Sequence, residues 1–160
     1  MVEKRKDIVK VDTEELIERL NKALADEWLA YYQYWVGSKI AVGKMRGPVE
    51  AELREHAEEE LEHAEMLADR ITQLGGTPIL KPEAFYEKSN CGYEVPENPK
   101  VEKLLEQNIK GEQCAIAVYQ NLLEFVEGKD PLTKKIVVEI LEDEVEHEED
   151  LQAIQEDMEQ

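Results

Sequence analysis

The chain has few cysteines, few aromatic residues and no long apolar segment, and each shortage excludes a class of protein. Two cysteines among 160 residues cannot form the disulfide framework of a small secreted domain, and they do not make a C-x-x-C metal motif. Aromatic residues make up only 6% of the chain, while Ala, Leu, Glu and Lys are plentiful, which favours a helix-rich domain. No apolar run approaches the roughly 20 residues of a membrane-spanning helix, so no membrane insertion is expected.

Basic residues are also scarce. The chain has 19 Lys and Arg against 38 Asp and Glu, a formal net charge of −19. Such a chain repels phosphate, so DNA binding is not expected; the exception would be the basic start, Lys4-Arg5-Lys6 with Lys10, acting as a DNA-binding arm. The same charge suits a surface or cavity that concentrates cations. The start has no apolar core or cleavage pattern of a signal peptide, so a cytoplasmic location is expected.

Four amphipathic segments account for most of the chain. Their apolar residues recur at spacings of three and four, which predicts helices packed as a bundle. The segments span about residues 12–41, 48–74, 99–128 and 131 onwards. We expect residues 1–160 to form a single domain, of which residues 1–11 are an N-terminal tail.

The links between the segments predict the topology. The short links near 44–47 and 128–130 indicate two antiparallel hairpins, whereas residues 77–98 form a long crossover with one short helical turn near 83–86. A link of this length can run along the whole bundle and leave the second and third helices parallel. The predicted fold is therefore all-α, a four-helix bundle with one long crossover, and this resembles the ferritin-like arrangement.

Six metal-ligand residues lie where the apolar stripes of these helices should be hydrophobic. They are Glu27, Glu60, His63, Glu112, Glu144 and His147. Each lies close to the midpoint of its helix. The midpoints of bundled helices lie at the same height along the bundle whichever way each helix runs, so the six side chains are expected to converge. Burying four carboxylates is very costly without a cation, and no stripe carries a Lys or Arg, so the pattern predicts bound divalent metals.

The spacing of these residues sharpens that prediction. Glu60 and His63, like Glu144 and His147, are three residues apart and share one helix face. Glu-x-x-His from two helices with one Glu from each of the others is typical of di-iron carboxylate bundles. Because acidic residues are so common here, one Glu-x-x-His would be weak support. The alternative is that the six residues lie on solvated, charged helix faces and that the helical register has been assigned one position off.

Three residues near the proposed ligands have open roles. His56, one turn before Glu60, is either a solvated or hydrogen-bonded histidine or an auxiliary metal contact. Tyr34 is either a core aromatic or a residue that forms a hydrogen bond near the metals or donates an electron. Glu59 belongs to an acidic run that is read, apart from Glu60, as a solvated face.

The two cysteines leave three alternatives open. Cys114 lies two residues after Glu112 and so points away from the helix seam, and Cys91 lies in the crossover. A disulfide between them would stabilise the fold by about 3 kcal/mol through loop entropy. The others are two free buried thiols, usual in the cytoplasm, and a redox-active pair beside the metals.

The ligand-bearing segments resemble the four helices of bacterioferritins. They read LNKALADEWLAYYQYW, EEELEHAEMLADRITQLGG, NIKGEQCAIAVYQ and VEILEDEVEHEEDL, and the likeness covers about residues 15–155. The resemblance implies that Glu27 and Glu112 are terminal ligands and that Glu60 and Glu144 bridge two iron ions. It also implies that His63 and His147 each hold one iron.

Two departures refine this resemblance. Leu61 stands where haem-binding bacterioferritins have a methionine ligand, so haem is not expected. The chain continues for only 13 residues after His147, too few for the fifth helix of 24-subunit cages. With Cys91 in the crossover and Cys114 just after Glu112, the chain is similar to the Dps-like proteins called thioferritins, which implies a dodecameric homo-oligomeric cage.

The function implied is that of a ferroxidase and iron-storage protein. It would bind two iron ions per subunit, oxidise Fe(II) with peroxide or dioxygen, and so protect against oxidative stress. The alternative is a rubrerythrin-like di-iron peroxidase that stores no iron and uses the cysteine pair to relay electrons. The sequence leaves the preferred oxidant open.

Overall fold

The computed structural model describes residues 3–160 as a bundle of four long helices and two short ones, so residues 1 and 2 of the expected tail lie outside the described part. The helices are α1 (Lys4–Asp7), α2 (Thr13–Ile40), α3 (Arg46–Gln73), α4 (Ala84–Lys88), α5 (Val101–Val126) and α6 (Pro131–Glu159). The predicted all-α fold is confirmed. Among residues 3–160, none of the helices is long and apolar enough to span a membrane.

The ends of the long helices follow from local chemistry. Asp12 caps α2 by accepting a hydrogen bond from the backbone N–H of Glu15 at 2.8 Å. Gly75 ends α3 with a φ of 86°, a conformation that costs glycine little. Asp130 caps α6, and Pro131 occupies its first turn, where no backbone donor is needed.

Backbone contacts at the two ends of the bundle set the helix directions. Val42, just after α2, pairs with Lys100, just before α5, so α3 and α5 begin at the same end and run parallel. At the other end the backbone N–H of Lys10 bonds to the carbonyl of Lys129 at 2.8 Å, which places the starts of α2 and α6 together. The predicted antiparallel hairpins with a parallel second and third helix are therefore present.

The crossover runs along α2 in the direction from its N-terminus to its C-terminus, and side chains of α2 hold it there. Asn21 donates to the carbonyl of Thr77 at 3.1 Å, and Gln33 accepts a longer contact from the backbone of Glu94 at 3.4 Å. Between them, Asp26 accepts from the backbone N–H groups of Asn90 and Cys91, each at 2.8 Å. These contacts carry Cys91 to mid-height of the bundle.

Two hydrophobic clusters fill the bundle, one at each end. The first includes Leu16, Leu20, Leu67, Ile71 and Val137. The second includes Leu53, Val101, Leu104, Leu105 and Leu151. The middle of the helices, between the two apolar clusters, is where the buried glutamates and histidines lie.

One buried cation lies at the end of the bundle. The sequence assigned no Lys or Arg to the apolar stripes, yet Arg70 is 3% exposed. It donates two hydrogen bonds of 3.0 Å to the carboxylate of Asp130 and one of 2.8 Å to Thr133. Burial alone would raise the pKa of Asp130, but hydrogen bonds from the hydroxyl and backbone N–H of Thr133, followed by those from Arg70, hold it below its usual range. Arg70 thus serves the α6 cap and does not neutralise the mid-bundle carboxylates.

We expect Asp130→Ala to destabilise the metal-free protein by about 3–5 kcal/mol, because it leaves the buried Arg70 guanidinium without its partner. Urea unfolding at fixed protein concentration measures the change. The control is Asp12→Ala, which removes an exposed cap and should cost about 1 kcal/mol. Equal losses in the two variants would show that the Arg70–Asp130 pair adds nothing beyond capping.

Candidate metal centre

The six residues singled out in the sequence converge at mid-height of the bundle. One comes from α2, one from α5 and two each from α3 and α6. Their relative exposures are 1–3%: Glu27, Glu60, His63, Glu112, Glu144 and His147. The alternative of solvated faces shifted by one position is therefore wrong.

Their ligand atoms form two overlapping groups. The first comprises Glu27, Glu60, His63 and Glu144, and the second comprises Glu60, Glu112, Glu144 and His147. Within each group the atoms lie within 4.8 Å of one another. Glu60 and Glu144 belong to both groups, so a cation held by either group would be within reach of both carboxylates. Each group then keeps one carboxylate and one histidine of its own.

The Nδ1 atom of each histidine faces three carboxylate oxygens. For His63 these belong to Glu27 at 3.5 Å, Glu60 at 3.2 Å and Glu144 at 3.3 Å. For His147 they belong to Glu60 at 3.2 Å, Glu112 at 3.4 Å and Glu144 at 3.5 Å. Both imidazoles thus direct the same nitrogen toward the cluster, as a pair of equivalent metal ligands would.

Several of these buried atoms have no hydrogen-bond partner within residues 3–160. They are Glu27 Oε2, Glu60 Oε1, Glu112 Oε2, Glu144 Oε1 and His147 Nδ1. Glu60 Oε1 and His147 Nδ1 are 3.2 Å apart, but the contact lacks hydrogen-bond alignment. A buried unpaired acceptor costs about 1–3 kcal/mol or more, and divalent cations would satisfy all five at once. Carboxylate and imidazole donors suit iron, manganese or zinc, so the residues fit a pair of such ions.

Protons neutralise the cluster when no metal is bound. Burial and the neighbouring carboxylates raise the pKa values of Glu60 and Glu144 well above the ordinary value. Burial would lower the pKa of His147, but the close carboxylates of Glu112 and Glu60 outweigh it and raise the pKa to about 12; carboxylates raise the pKa of His63 in the same way. Burial alone would raise the pKa of Glu27. Hydrogen bonds with Glu60, His63 and Tyr119 stabilise its carboxylate and lower the pKa instead.

The outer nitrogens of the two histidines bond to carboxylates of the facing helix. His63 Nε2 lies 2.8 Å from Asp143 of α6, and His147 Nε2 bonds to Glu59 of α3. A proton donated from Nε2 leaves Nδ1 free to bind a metal and fixes the ring orientation. The sequence placed Glu59 on a mostly solvated face; its side chain is 35% exposed, and it also bonds to His147, a role that the sequence did not indicate.

Two buried tyrosines hold the carboxylates that are not shared. Tyr34 donates to Glu112, and Tyr119 donates to Glu27. Each hydroxyl crosses the bundle to a different helix, so the pair fixes one oxygen of each carboxylate while the other oxygen stays unpaired. Of the alternatives for Tyr34, the structure supports the hydrogen-bonding one, and it adds Tyr119, which the sequence showed only as an apolar-stripe residue.

We expect Asp143→Asn to weaken binding at the His63 side of the centre by about 10–100-fold, because a neutral amide replaces the charged carboxylate that orients His63 and strengthens its basicity as a ligand. Anaerobic titration with Co(II), followed by its visible absorption, measures this affinity. Asp157→Asn, an exposed change near the end of α6, is the matched control. Equal affinities in the two variants would mean that Asp143 does not support the ligand.

Cys91 and Cys114 form a disulfide, with sulfurs 2.11 Å apart. It links the crossover to α5 and lines a cavity of about 510 Å³ that also reaches Glu27, Glu60 and Glu112. Of the three alternatives for the cysteines, free thiols do not apply to this structure. The cavity joins the disulfide to the carboxylate cluster.

These features define a class of protein: a four-helix bundle with one long crossover and a buried carboxylate–histidine centre, to which all four helices contribute side chains. A family model described as a ferritin-like domain matches residues 17–160. The chain belongs to this ferritin-like family, and the resemblance stated from the sequence is confirmed.

Individual relatives agree with this assignment. The DNA protection during starvation protein of Pyrococcus furiosus is 36% identical over 141 residues, covering 86% of this chain and 75% of the relative. A bacterioferritin of Brucella melitensis is 32% identical over 133 residues, covering 82% of this chain and 77% of the relative.

A solved structure is closer still. The bacterioferritin-related protein of Bacteroides fragilis, described as a dodecameric thioferritin, superposes with a TM-score of 0.92 at 48% identity, covering 93% of this chain and 89% of that one. Dps of Thermosynechococcus elongatus shares the fold, with a TM-score of 0.84 at 16% identity over 95% of this chain and 94% of its own.

Proposed function

We propose that the protein is a ferroxidase that oxidises Fe(II) at a di-iron site within one subunit and stores the ferric product. The observation that carries the proposal is the sharing of Glu60 and Glu144 between two ligand groups in a buried cluster. Four carboxylates and two imidazoles supply six protein ligands for two Fe(II) ions, which are substrates here. No Lys or Arg lies in the cluster to compete with them.

The overall chemistry is a pairwise oxidation. Two Fe(II) ions each give one electron to a molecule of hydrogen peroxide, which takes up two protons and leaves as two waters. With dioxygen, four Fe(II) ions supply the four electrons needed for two waters. Taking electrons two at a time from a held pair avoids releasing hydroxyl radicals, so consumption of peroxide would protect the cell from oxidative damage.

The chain's own residues contribute binding, orientation and charge. Tyr34 and Tyr119 hold the unshared carboxylates, and Asp143 and Glu59 orient the histidines. The cavity beside the disulfide gives a small oxidant a route between α2 and α5 to the carboxylates. The net charge of −19 favours approach of cations from solution.

Storage requires an assembly, and we propose a homo-oligomeric cage in the cytoplasm. The relative from Bacteroides fragilis, 48% identical, is described as dodecameric. The similarity covers 93% of this chain and 89% of that one, which supports the same assembly here. We therefore propose a dodecamer that holds a ferric core.

A second candidate is the rubrerythrin-like peroxidase, which stores no iron. The observation that favours it is the Cys91–Cys114 disulfide lining the same cavity as the carboxylates. In that reaction two thiols would give two electrons and two protons to peroxide, forming the disulfide and two waters.

One loading experiment separates the two candidates. Metal-free protein is loaded with excess Fe(II) under argon, divided between air and peroxide, and its iron per subunit and particle mass are measured. Storage predicts far more than two irons in a particle of dodecameric mass, whereas the peroxidase predicts about two. Loss of iron oxidation in Cys91→Ser or Cys114→Ser would favour the peroxidase, and no metal-dependent oxidation at all would contradict both.

A further inference from the structure

His56 is a buried histidine that the proposed di-iron site does not use. It lies on α3 one turn before Glu60, is 1% exposed, and stacks on His147 with ring centroids 4.0 Å apart. Neither of its ring nitrogens has a hydrogen-bond partner among residues 3–160. The expectation of a solvated or hydrogen-bonded histidine is therefore wrong, and a buried imidazole without partners points to a missing ligand.

Two carboxylates face this imidazole. His56 Nε2 lies 3.0 Å from Glu52 Oε1 and 3.7 Å from Asp150 Oδ2, and neither contact has hydrogen-bond alignment. One ligand atom from each residue lies within 4.8 Å of the other two. The side chains of Glu52 and Asp150 are 27% and 43% exposed, so they open the group to solvent while His56 closes its inner side.

The charges leave this group without a cation. Among residues 3–160, the side chains of Glu52 and Asp150 make no salt bridge to a Lys or Arg, and their short contacts with a basic group are those to His56. Burial, followed by repulsion from Asp150 and Glu55, raises the pKa of Glu52. An imidazole and two mutually repelling carboxylates, with one ligand atom of each close to the other two, form a donor set that suits a divalent cation.

We propose that Glu52, His56 and Asp150 form a third metal site, which binds one divalent first-row transition cation. One imidazole nitrogen and two carboxylate oxygens suit Fe(II), Mn(II) or Zn(II), and the exposed side leaves room for water ligands. The site is distinct from the two mid-bundle groups, with which it shares no residue.

The position of this site indicates a role for a cation bound there. The cavity beside the disulfide approaches the carboxylate cluster between α2 and α5, whereas Glu52, His56 and Asp150 lie on α3 and α6, the other pair of helices. A cation there would lie between the di-iron site and the α3–α6 surface, on a route for iron to or from the pair. This role rests on the proposed function, but the binding itself does not.

Co(II) titration of the metal-free, full-length protein under argon tests the proposal without any turnover. Calorimetric stoichiometry should give about three equivalents per subunit, and the double variant Glu52→Gln, Asp150→Asn should give about two. His56 itself is kept, because its ring packs on His147. The matched control is Glu58→Gln with Asp157→Asn, two exposed positions on the same helices, which should retain three.

Crystals grown with Co(II) locate the ions by anomalous scattering. A peak beside His56 Nε2, between Glu52 and Asp150, is expected in the control and absent in the double variant. Two equivalents in all proteins, or a third peak elsewhere, would overturn the proposal. In Glu60→Gln the mid-bundle sites should be lost and the His56 peak should remain, so failure of the di-iron proposal can be told from failure of this one.

Discussion

Replacing Glu60 with Gln is expected to lower the initial rate of Fe(II) oxidation by about 100-fold or more, because the change removes a carboxylate that both ligand groups share. A terminal ligand serves one ion, whereas a shared ligand serves both and sets the distance between them. Glutamine keeps the size of the side chain and removes only the charge. Stopped-flow absorbance of ferric product, after mixing anaerobic Fe(II) with peroxide or with dioxygen, measures the rate.

The same variant should keep its fold. The pKa of Glu60 is already raised well above its ordinary value by burial and by neighbouring carboxylates, so a neutral amide resembles the side chain of the metal-free state. The melting temperature without metal should therefore change little, while the increase on adding Co(II) should shrink. Glu62→Gln, an exposed change on the same helix, is the control and should behave as wild type. A wild-type oxidation rate in Glu60→Gln would refute the assignment.

Filling the pair with metal should release about four protons per subunit at neutral pH. Raised pKa values leave Glu60, Glu144, His63 and His147 protonated in the metal-free cluster, and all four must lose a proton to bind. Two divalent cations then replace four protons without a change in buried charge. Anaerobic Co(II) titration in weakly buffered solution with a pH-stat counts the protons.

The sign of the pH dependence follows from this exchange. Because metals displace protons, affinity should rise with pH and fall steeply below neutrality. The metal-free protein should show the opposite trend near neutrality. In the folded state His63 and His147 keep their protons, whereas in the unfolded chain histidines lose theirs above a pKa of about 6.5. The two protonated histidines therefore stabilise the fold fully below a pH of about 6.5, and this stabilisation declines as the pH rises toward and through their raised folded-state pKa values. Release of no protons, or affinity independent of pH, would contradict the proposed ligand protonation.

The sequence predicted the bundle and the burial of the candidate ligands because both depend on helical periodicity. A repeat of three and four residues places Glu27, Glu60, Glu112 and Glu144 on the buried faces whatever their neighbours are. The link lengths then predicted the helix directions, which the pairing of Val42 with Lys100 bears out.

The supporting contacts could not be predicted in the same way, because they cross between helices. Glu59 and Asp143 each precede a shared glutamate by one residue and each bonds to the histidine of the other helix. Periodicity places both on a partly solvated face, and only their matching positions before the two Glu-x-x-His pairs could have drawn attention to them. Arg70 was missed for a similar reason, since its partner Asp130 lies 60 residues away.

The cysteine pairing depended on the path of the crossover. Nothing in the spacing of Cys91 and Cys114 decides between thiols and a disulfide. The path is set by Asp26, which holds the backbone of Asn90 and Cys91 and brings the crossover sulfur against α5. A loop held by one buried carboxylate carries no periodic signal.

We propose that Glu60 and Glu144 hold two metal ions side by side within one subunit. The most direct measurement is the anomalous scattering at the iron edge from crystals grown and soaked with Fe(II) under argon. We predict two peaks per subunit, about 3.5–4 Å apart, with Glu60 and Glu144 between them and Nδ1 of His63 and His147 on the outer sides. A single peak, or peaks that do not contact both Glu60 and Glu144, would contradict the account.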